Sequence, residues 1–179
     1  MLFKKDDNFI TEQDKEFIKN VIEGDNFPLY LQRTGTTNTD KKSFYLSHTV
    51  VHRSEIRKEE DPFYNSAFAE PIMNIFYRFM EKHRICVNEV LRVNVNMTFP
   101  GQLKKCPVHF DHTFPHNQFL FYLDDFDKKA KTIILSKNKK NILHQVPPKK
   151  YRGVCFEGMP HYMIYPTKKV RTVFVYTFR

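Results

Sequence analysis

The second half of this chain is a succession of short segments rich in β-branched and aromatic residues. Turn-forming pairs such as Pro100-Gly101 and Pro147-Pro148 separate them. Such segments are typical of β-strands, and a series of strands without alternating helices is typical of an antiparallel sandwich or barrel. The predicted strands cover residues 44–51, 90–99, 117–123, 131–135, 152–157, 161–165 and 171–178.

Two helices are predicted in the first half of the chain. Thr11 and Asp14 form a capping box at the start of the first helix, and Gly24 is suited to its C-terminal end. The second helix is predicted over residues 69–83, with Pro71 in its first turn. Its apolar residues recur at helical spacing and form one stripe, which we expect to pack against the sheet: Ile72, Ile75, Phe76, Phe79 and Met80.

The length of 179 residues suits one domain spanning residues 1–179. Within it we expect a helical support over roughly residues 1–86 and a strand-rich core over roughly residues 87–179. No apolar run approaches the ~18 residues that a membrane span needs, so no membrane partner is expected. Asp6 and Asp7 lie where a signal peptide would be apolar, and the three cysteines are an odd number. Both features favour a reducing, cytoplasmic location.

The formal net charge of +9 favours anionic partners, among them nucleic acid, acidic proteins and small carboxylates. Six lysines lie between Lys128 and Asn141, around a short apolar run. This pattern predicts a solvated hairpin whose lysines deter edge-to-edge pairing. The lysines are not interleaved with aromatic residues, as they would be on a platform for single-stranded nucleic acid.

Three residues could form a metal site: His109, Asp111 and His161. Residues i and i+2 of a strand point to the same side, so His109 and Asp111 can converge on one ion. His161 follows a turn and lies on a different predicted strand. Two imidazoles and one carboxylate are the facial triad typical of non-haem Fe(II) oxygenases.

Other interpretations of these residues remain open. His109 could be a hydrogen-bonded core histidine, and Asp111 could cap a turn. Cys106 with His109 has the spacing C-x2-H, and His112 with His116 has the spacing H-x3-H, so a zinc site is conceivable. No second pair lies at the spacing of a zinc finger, which argues against that alternative.

Arg171 begins a strand with a clean alternation of side chains. Val173 and Val175 share its face, so the guanidinium is predicted to be buried and to need a partner. A return of ten residues from His161 is expected to place Arg171 on the neighbouring strand. The planar guanidinium matches a carboxylate, which a ligand could supply. A structural ion pair with Asp124 or Asp125 is the alternative.

At this point the chain resembles the Fe(II)/2-oxoglutarate-dependent dioxygenase superfamily, and within it the prolyl-4-hydroxylase-like branch with its small phage-encoded members. The resemblance covers roughly residues 90–179. It lies in an aromatic-Pro-Gly turn followed by H-x-D, a strand containing Tyr122, and a closing segment with a distal histidine and a basic residue ten positions on. The segment after Tyr122 lacks the Gly-Gly-Glu-Thr stretch usual in that branch.

The resemblance implies a double-stranded β-helix (jelly roll), mainly β with packed helices, over roughly residues 87–179. It implies that His109, Asp111 and His161 bind Fe(II), that Arg171 binds the distal carboxylate of 2-oxoglutarate, and that Tyr122 hydrogen-bonds this cosubstrate. Dioxygen is the second cosubstrate, and ascorbate is an accessory reductant in such enzymes.

The implied function is hydroxylation of an unactivated C–H bond, in the first place of a prolyl side chain in a protein or peptide. Oxidative demethylation or hydroxylation of nucleic acid is the alternative that the net charge suggests. The next arginine after Arg171 is Arg179, a poor match to the spacing in nucleobase-repair members. A non-catalytic β-barrel binding module is the third possibility.

Overall fold

The computed structural model describes residues 2–33, 43–101, 103–125 and 127–179. Within these ranges the chain forms ten strands and two helices, and the first helix continues as a π-helical turn at Ile18–Ile22. The elements are β1 (Phe3–Asp6), α1 (Glu12–Phe17), β2 (Tyr30–Gln32), β3 (Tyr45–Val51), α2 (Ala69–Lys82), β4 (Val90–Thr98), β5 (Asn117–Tyr122), β6 (Thr132–Leu135), β7 (Ile142–Val146), β8 (Gly153–Glu157), β9 (His161–Met163) and β10 (Arg171–Phe178).

The strands form two antiparallel sheets. The large sheet has seven strands in the order β1-β8-β5-β10-β4-β3-β2, and the small sheet has three in the order β7-β6-β9. Apolar residues of both sheets share one buried cluster, which includes Leu120 and Val175 from the large sheet and Ile134 and Val146 from the small one. The sheets therefore pack face to face, and the predicted jelly roll with packed helices is confirmed.

The helices cover the outer face of the large sheet. Ile72, Phe76 and Phe79 of α2 are fully buried against it. The ring of Phe76 stacks on that of Tyr176 at 5.0 Å between centroids, and the Tyr176 hydroxyl donates to the carbonyl of Ile72 at 2.8 Å. The predicted packing of the α2 stripe on the sheet is confirmed.

The local signals for both helices are also confirmed. The Thr11 hydroxyl accepts a hydrogen bond from the Asp14 amide, and the Asp14 carboxylate accepts one from the Thr11 amide. Pro71 lies in the first turn of α2, where its missing N–H has no helical partner to lose. No helix of the described ranges is long and apolar enough to cross a membrane.

Strand β10 has the predicted alternation. Phe174, Tyr176 and Phe178 pack in the cluster beneath the helices, and Val173 and Val175 pack in the cluster between the sheets. The lysine-rich segment forms the predicted hairpin from β6 and β7, with β7 at the edge of the small sheet.

All seven predicted strands are present, but β1 and β2 were not predicted, and β7 was implied only as the second arm of the lysine-rich hairpin. The described part of residues 1–86 contains both helices and also supplies β1, β2 and β3 to the large sheet. Strands β1, β2 and β7 have only three to five residues and lie at sheet edges. Their residues are mostly exposed or half-buried, so these strands carry little of the apolar alternation that identifies a strand in a sequence.

Candidate metal centre

His109 and His161 are brought together by their own main chains. The amide of each residue donates to the carbonyl of the other, at 3.1 and 3.0 Å. These two hydrogen bonds form an isolated antiparallel bridge at the first residue of β9. Their ring centroids are 4.4 Å apart. Asp111 follows at a bend, and the candidate ligand atoms of the three residues all lie within 4.8 Å of one another. The predicted convergence is therefore present, although His109 belongs to a single bridge and not to a strand.

Both imidazoles present the same nitrogen to the cluster. The Nδ1 atom of His109 lies 3.0 Å from the carbonyl oxygen of Pro107, and that of His161 lies 2.9 Å from the carbonyl oxygen of Met159. A carbonyl only accepts, so each neutral ring carries its proton on Nδ1 and keeps a lone pair on Nε2. Such hydrogen bonds orient histidine ligands in metal sites.

Asp111 has one satisfied and one unsatisfied carboxylate oxygen. Oδ1 accepts from Arg92 Nη2 at 2.9 Å, and Arg53 donates to the Asp111 carbonyl. Oδ2 is buried, has no hydrogen-bond partner and lies 3.6 Å from His161 Nε2. An unpartnered buried carboxylate oxygen facing two imidazole lone pairs fits a divalent cation such as Fe(II), which takes two histidines and one carboxylate.

The protonation states also suit metal binding. Burial, followed by the neighbouring His161, lowers the pKa of His109 to about 4, so this ring is neutral at pH 7. Burial raises the pKa of Asp111, but the charge of Arg92, followed by the two histidines in their protonated form and by Arg53, outweighs burial and holds this pKa well below its usual range. Metal ligands must be deprotonated, and both groups are.

Arg171 is 4% exposed, as predicted. Its Nη2 atom donates to Thr132 Oγ1 at 3.0 Å and its Nη1 atom to Met163 Sδ at 3.0 Å, whereas Nε is buried without a partner. The alternative ion pair is absent, because neither Asp124 nor Asp125 lies within ion-pairing distance of this guanidinium, all three residues being described. Asp124 instead accepts from the Thr172 amide at 2.6 Å.

The expectation that Arg171 lies on the strand neighbouring His161 is wrong. His161 begins β9 in the small sheet, whereas Arg171 begins β10 in the large sheet, paired with β4 and β5. The intervening residues cross from one sheet to the other. The guanidinium therefore approaches the space between the sheets from the side opposite β9.

Tyr122 contacts Arg171 through its ring and shares a hydrogen-bond partner, Thr132, with it. Its hydroxyl donates to Thr132 Oγ1 at 2.8 Å, and its ring lies under the Arg171 guanidinium, 5.2 Å from centroid to Cζ. Thr132 lines the cleft between the sheets and Tyr122 does not. A direct hydrogen bond from Tyr122 to a cosubstrate stays a prediction, and Thr132 is the residue that joins Tyr122 to Arg171.

The three candidate ligands and Arg171 line one cleft of about 490 Å³. Its floor on the large sheet is a polar row along β4, contributed by Arg92, Asn94, Asn96 and Thr98. Sequence reasoning missed Arg92, although its signal was present: these polar residues alternate with valines and a methionine along a predicted strand. Arg53 and Thr132, also missed, have no comparable local signal.

The zinc alternative does not match the geometry. His112 places Nδ1 at 2.6 Å from Glu55 and Nε2 at 2.8 Å from the Thr177 hydroxyl, so both nitrogens are engaged. Among the described residues, His109, Asp111 and His161 are the one group of three potential metal ligands that converge.

A scan against models of protein families finds no match, and a search of curated proteins finds none either. Solved structures do match. An oxidoreductase of the 2OG-Fe(II) oxygenase family from Burkholderia pseudomallei has a TM-score of 0.66 and 12% identity, covering 93% of this chain and 76% of that one.

Two prolyl hydroxylases match over similar lengths. The Trichoplax adhaerens enzyme, solved with a peptide fragment of the hypoxia-inducible factor, has a TM-score of 0.66 and 13% identity, covering 98% of this chain and 83% of its own. The viral collagen prolyl hydroxylase of Paramecium bursaria Chlorella virus-1 has a TM-score of 0.59 and 13% identity, covering 100% and 96%. The chain thus has the fold of the 2OG-Fe(II) oxygenases.

Proposed function

We propose that this chain, which has the fold of 2OG-Fe(II) oxygenases, is an Fe(II)- and 2-oxoglutarate-dependent dioxygenase. The observation that carries the proposal is the unpartnered, buried Asp111 Oδ2, which faces the Nε2 side of two imidazoles fixed by their main chains. His109, Asp111 and His161 would hold the iron. Iron and 2-oxoglutarate, when bound, would activate dioxygen, which is the oxidant for hydroxylation of an unactivated C–H bond.

The protein's own contribution is binding, orientation and exclusion of water. Arg171 would bind the distal carboxylate of 2-oxoglutarate, because it is a buried guanidinium with no carboxylate partner among the described residues and it lines the same cleft as the three ligands. Thr132, Met163 and the Tyr122 ring hold its orientation. A guanidinium fixed in this way recognises a carboxylate at little entropic cost.

The hydroxylated substrate is proposed to be a prolyl side chain of a protein or peptide. The likeness to prolyl hydroxylases, one of them solved with a bound peptide, supports this choice. Hydroxylation or demethylation of nucleic acid is supported only by the net charge of +9. A binding module without activity would be expected to lack a ligand, and all three are present.

The test has two stages. Anaerobic addition of Fe(II) and 2-oxoglutarate should give a weak charge-transfer absorption in the visible range, and His161→Ala should abolish it. Succinate release and product mass are then measured with proline-rich peptides and with methylated oligonucleotides. Absence of the absorption at saturating iron contradicts the proposed activity, and turnover of oligonucleotides alone reverses the choice of substrate.

A further inference from the structure

A second cavity lies on the other side of the candidate metal centre. This groove, of about 1090 Å³, has one wall formed by residues 110–117 and another that includes Lys137 from the tip of the β6–β7 hairpin. Arg53 and Asp111 line both this groove and the cleft that contains Arg171. The groove therefore borders the candidate metal centre at Asp111.

The hairpin tip is held by hydrogen bonds within the turn. The Ser136 amide donates to the Asn141 carbonyl at 2.9 Å, the Asn141 amide to the Ser136 hydroxyl at 3.1 Å, and the Lys139 amide to the Ser136 carbonyl at 2.7 Å. The Lys139 ammonium lies 5.5 Å from the centroid of Phe110, which stands between the ligands His109 and Asp111 in the chain. The turn thus fixes the backbone that carries Lys137 and Lys139 next to the groove.

Lys137 lines the groove, Lys139 lies beside it over Phe110, and these two lysines differ from the charged groups around them in having no acidic partner among the described residues. Asp111 is paired with Arg92, Glu55 with His112 at 2.6 Å, and Glu157 accepts from the Leu2 amide at 2.8 Å. The ammonium groups of Lys137 and Lys139, by contrast, have no carboxylate within ion-pairing distance in the described part of the chain. A ligand with carboxylates would complement these two positions.

An acidic peptide and a single-stranded nucleic acid could both bind a basic groove, and the aromatic rings of this groove distinguish between them. Single-stranded nucleic acid binds by stacking bases on open ring faces. Lys139 covers Phe110, and the ring of Phe114 lies against that of His112, 4.9 Å away and inclined by 33°. These features favour a peptide over a nucleic acid.

We infer that the groove binds an acidic segment of a peptide substrate, next to the residue that is hydroxylated, with its carboxylates on Lys137 and Lys139. This inference rests on the proposed function, because the bound peptide is a substrate only if the neighbouring metal centre hydroxylates it. The binding itself is a property of the groove and can be measured without iron or 2-oxoglutarate, so the two proposals can fail independently.

The probe is a fluorescein-labelled peptide of repeated Glu-Pro-Pro units, and binding is followed by fluorescence anisotropy. We expect Lys137→Glu/Lys139→Glu to weaken binding by at least about tenfold, because like charges then face each other. A matched control, Lys4→Glu/Lys19→Glu, changes the net charge equally at exposed lysines outside the groove and should change binding less than about twofold. A peptide of repeated Gln-Pro-Pro units should bind the unmodified chain weakly.

Three results would overturn the inference. The first is an equal loss of binding in both double variants, which would mean that only net charge matters. The second is no binding of the acidic peptide to the unmodified chain. The third is tighter binding of labelled oligothymidylate, lost on reversal of Lys137 and Lys139, which would assign the groove to nucleic acid. If the unmodified chain binds the peptide but does not turn over 2-oxoglutarate, the proposed function is contradicted and the inference about the groove stands.

Discussion

His109 and His161 exchange two main-chain hydrogen bonds, at 3.1 and 3.0 Å, and this bridge sets the distance between their rings. The Nδ1 atoms of both rings are fixed in turn by the carbonyls of Pro107 and Met159. The positions of two candidate ligands are thus determined by the backbone and not by the side chains alone. Backbone support of this kind pre-organises a metal site.

Removal of the metal should therefore leave the fold intact. We expect the far-ultraviolet circular dichroism spectrum to stay unchanged after iron is removed by a chelator, and the melting temperature to fall only by the contribution of ligand binding to the folded state. Titration with Fe(II) should restore that melting temperature. Unfolding of the chain by the chelator would mean that the metal organises the three residues.

Arg92→Met tests the support of Asp111. The substitution removes the 2.9 Å hydrogen bond to Oδ1 and leaves a buried carboxylate with only the more distant Arg53, whose Nη2 lies 3.7 Å away. Breaking one side of a buried pair costs about 3 kcal/mol of unfolding free energy, and a lost supporting contact weakens metal binding about tenfold. Urea unfolding in the presence of a chelator and calorimetric metal titration measure the two effects.

The control for Arg92→Met is Arg78→Met. Arg78 also pairs with a carboxylate, Asp14, at 3.1 Å, but its side chain is 40% exposed and lies away from the metal centre. Asp14 is buried but keeps its hydrogen bonds with Thr11, and solvent screens the charge of the exposed Arg78, so this variant should lose clearly less stability than Arg92→Met. Equal destabilisation by both substitutions would contradict the special role of Arg92.

Arg171→Ala should weaken the binding of 2-oxoglutarate and leave iron binding unchanged. A charge-assisted hydrogen bond contributes up to about 3 kcal/mol, which corresponds to roughly a hundredfold change in dissociation constant. Anaerobic titration of the iron-loaded variant, followed by its visible absorption, measures this constant. Loss of iron from the variant would assign Arg171 a structural role instead.

Phe76→Ala should be among the most destabilising substitutions in the chain. The ring is fully buried between α2 and the large sheet and stacks on Tyr176. Removal of a buried phenylalanine costs about 3–5 kcal/mol. The matched control is Tyr77→Ala, whose side chain is on the exposed side of the same helix, 44% exposed, and should cost less than about 1 kcal/mol. Urea unfolding at neutral pH compares them, and similar losses would contradict the assigned packing.

Stability should fall on acidification, with a contribution from His48. Burial lowers the pKa of His48, and its ring nitrogens are engaged by the Pro28 carbonyl at 2.9 Å and the Ser66 hydroxyl at 2.7 Å. A folded pKa below the unfolded value of about 6.5 means that the unfolded chain binds the proton more readily. The stabilisation that His48 contributes is therefore fully present above the unfolded value and is lost as the pH falls through the lower pKa of the folded state.

Unfolding free energies between neutral and mildly acidic pH give the measurement for His48. Because His109, His112 and His144 also have lowered pKa values, the unmodified chain reports their sum. His48→Gln removes one titrating group, so its stability should decline less steeply with falling pH. Identical slopes for the two proteins would contradict the prediction.

The sequence predicted the parts of the fold that depend on side-chain periodicity. The alternation along β10 and the apolar stripe of α2 follow directly from burial on one face, and the structure has both. It did not predict how the chain passes from His161 to Arg171, because a turn of a few residues can return to the same sheet or cross to the opposite one. The choice depends on the packing of distant strands, which local spacing does not contain.

The residues of the candidate site also fall into a group that the sequence predicted and a group that it did not. His109, Asp111 and His161 could be identified because their spacing has a chemical meaning and because they resemble a known motif. Arg53, which donates to the Asp111 carbonyl, is 58 positions away in the chain and follows an unrelated strand. Thr132 is an ordinary strand residue until the fold brings it between Tyr122 and Arg171. Contacts of this kind are set by tertiary structure alone.

One carboxylate forms part of the boundary of both cavities. Arg53 donates a hydrogen bond to the main-chain carbonyl of Asp111 and also lines the groove. A molecule that displaces Arg53 would therefore change the charge and orientation experienced by Asp111. By thermodynamic linkage, if a groove ligand changes the affinity of this aspartate for an ion, the ion changes the affinity of the groove by the same factor. Arg53 and Asp111 are therefore the residues through which the cleft and the groove would be coupled.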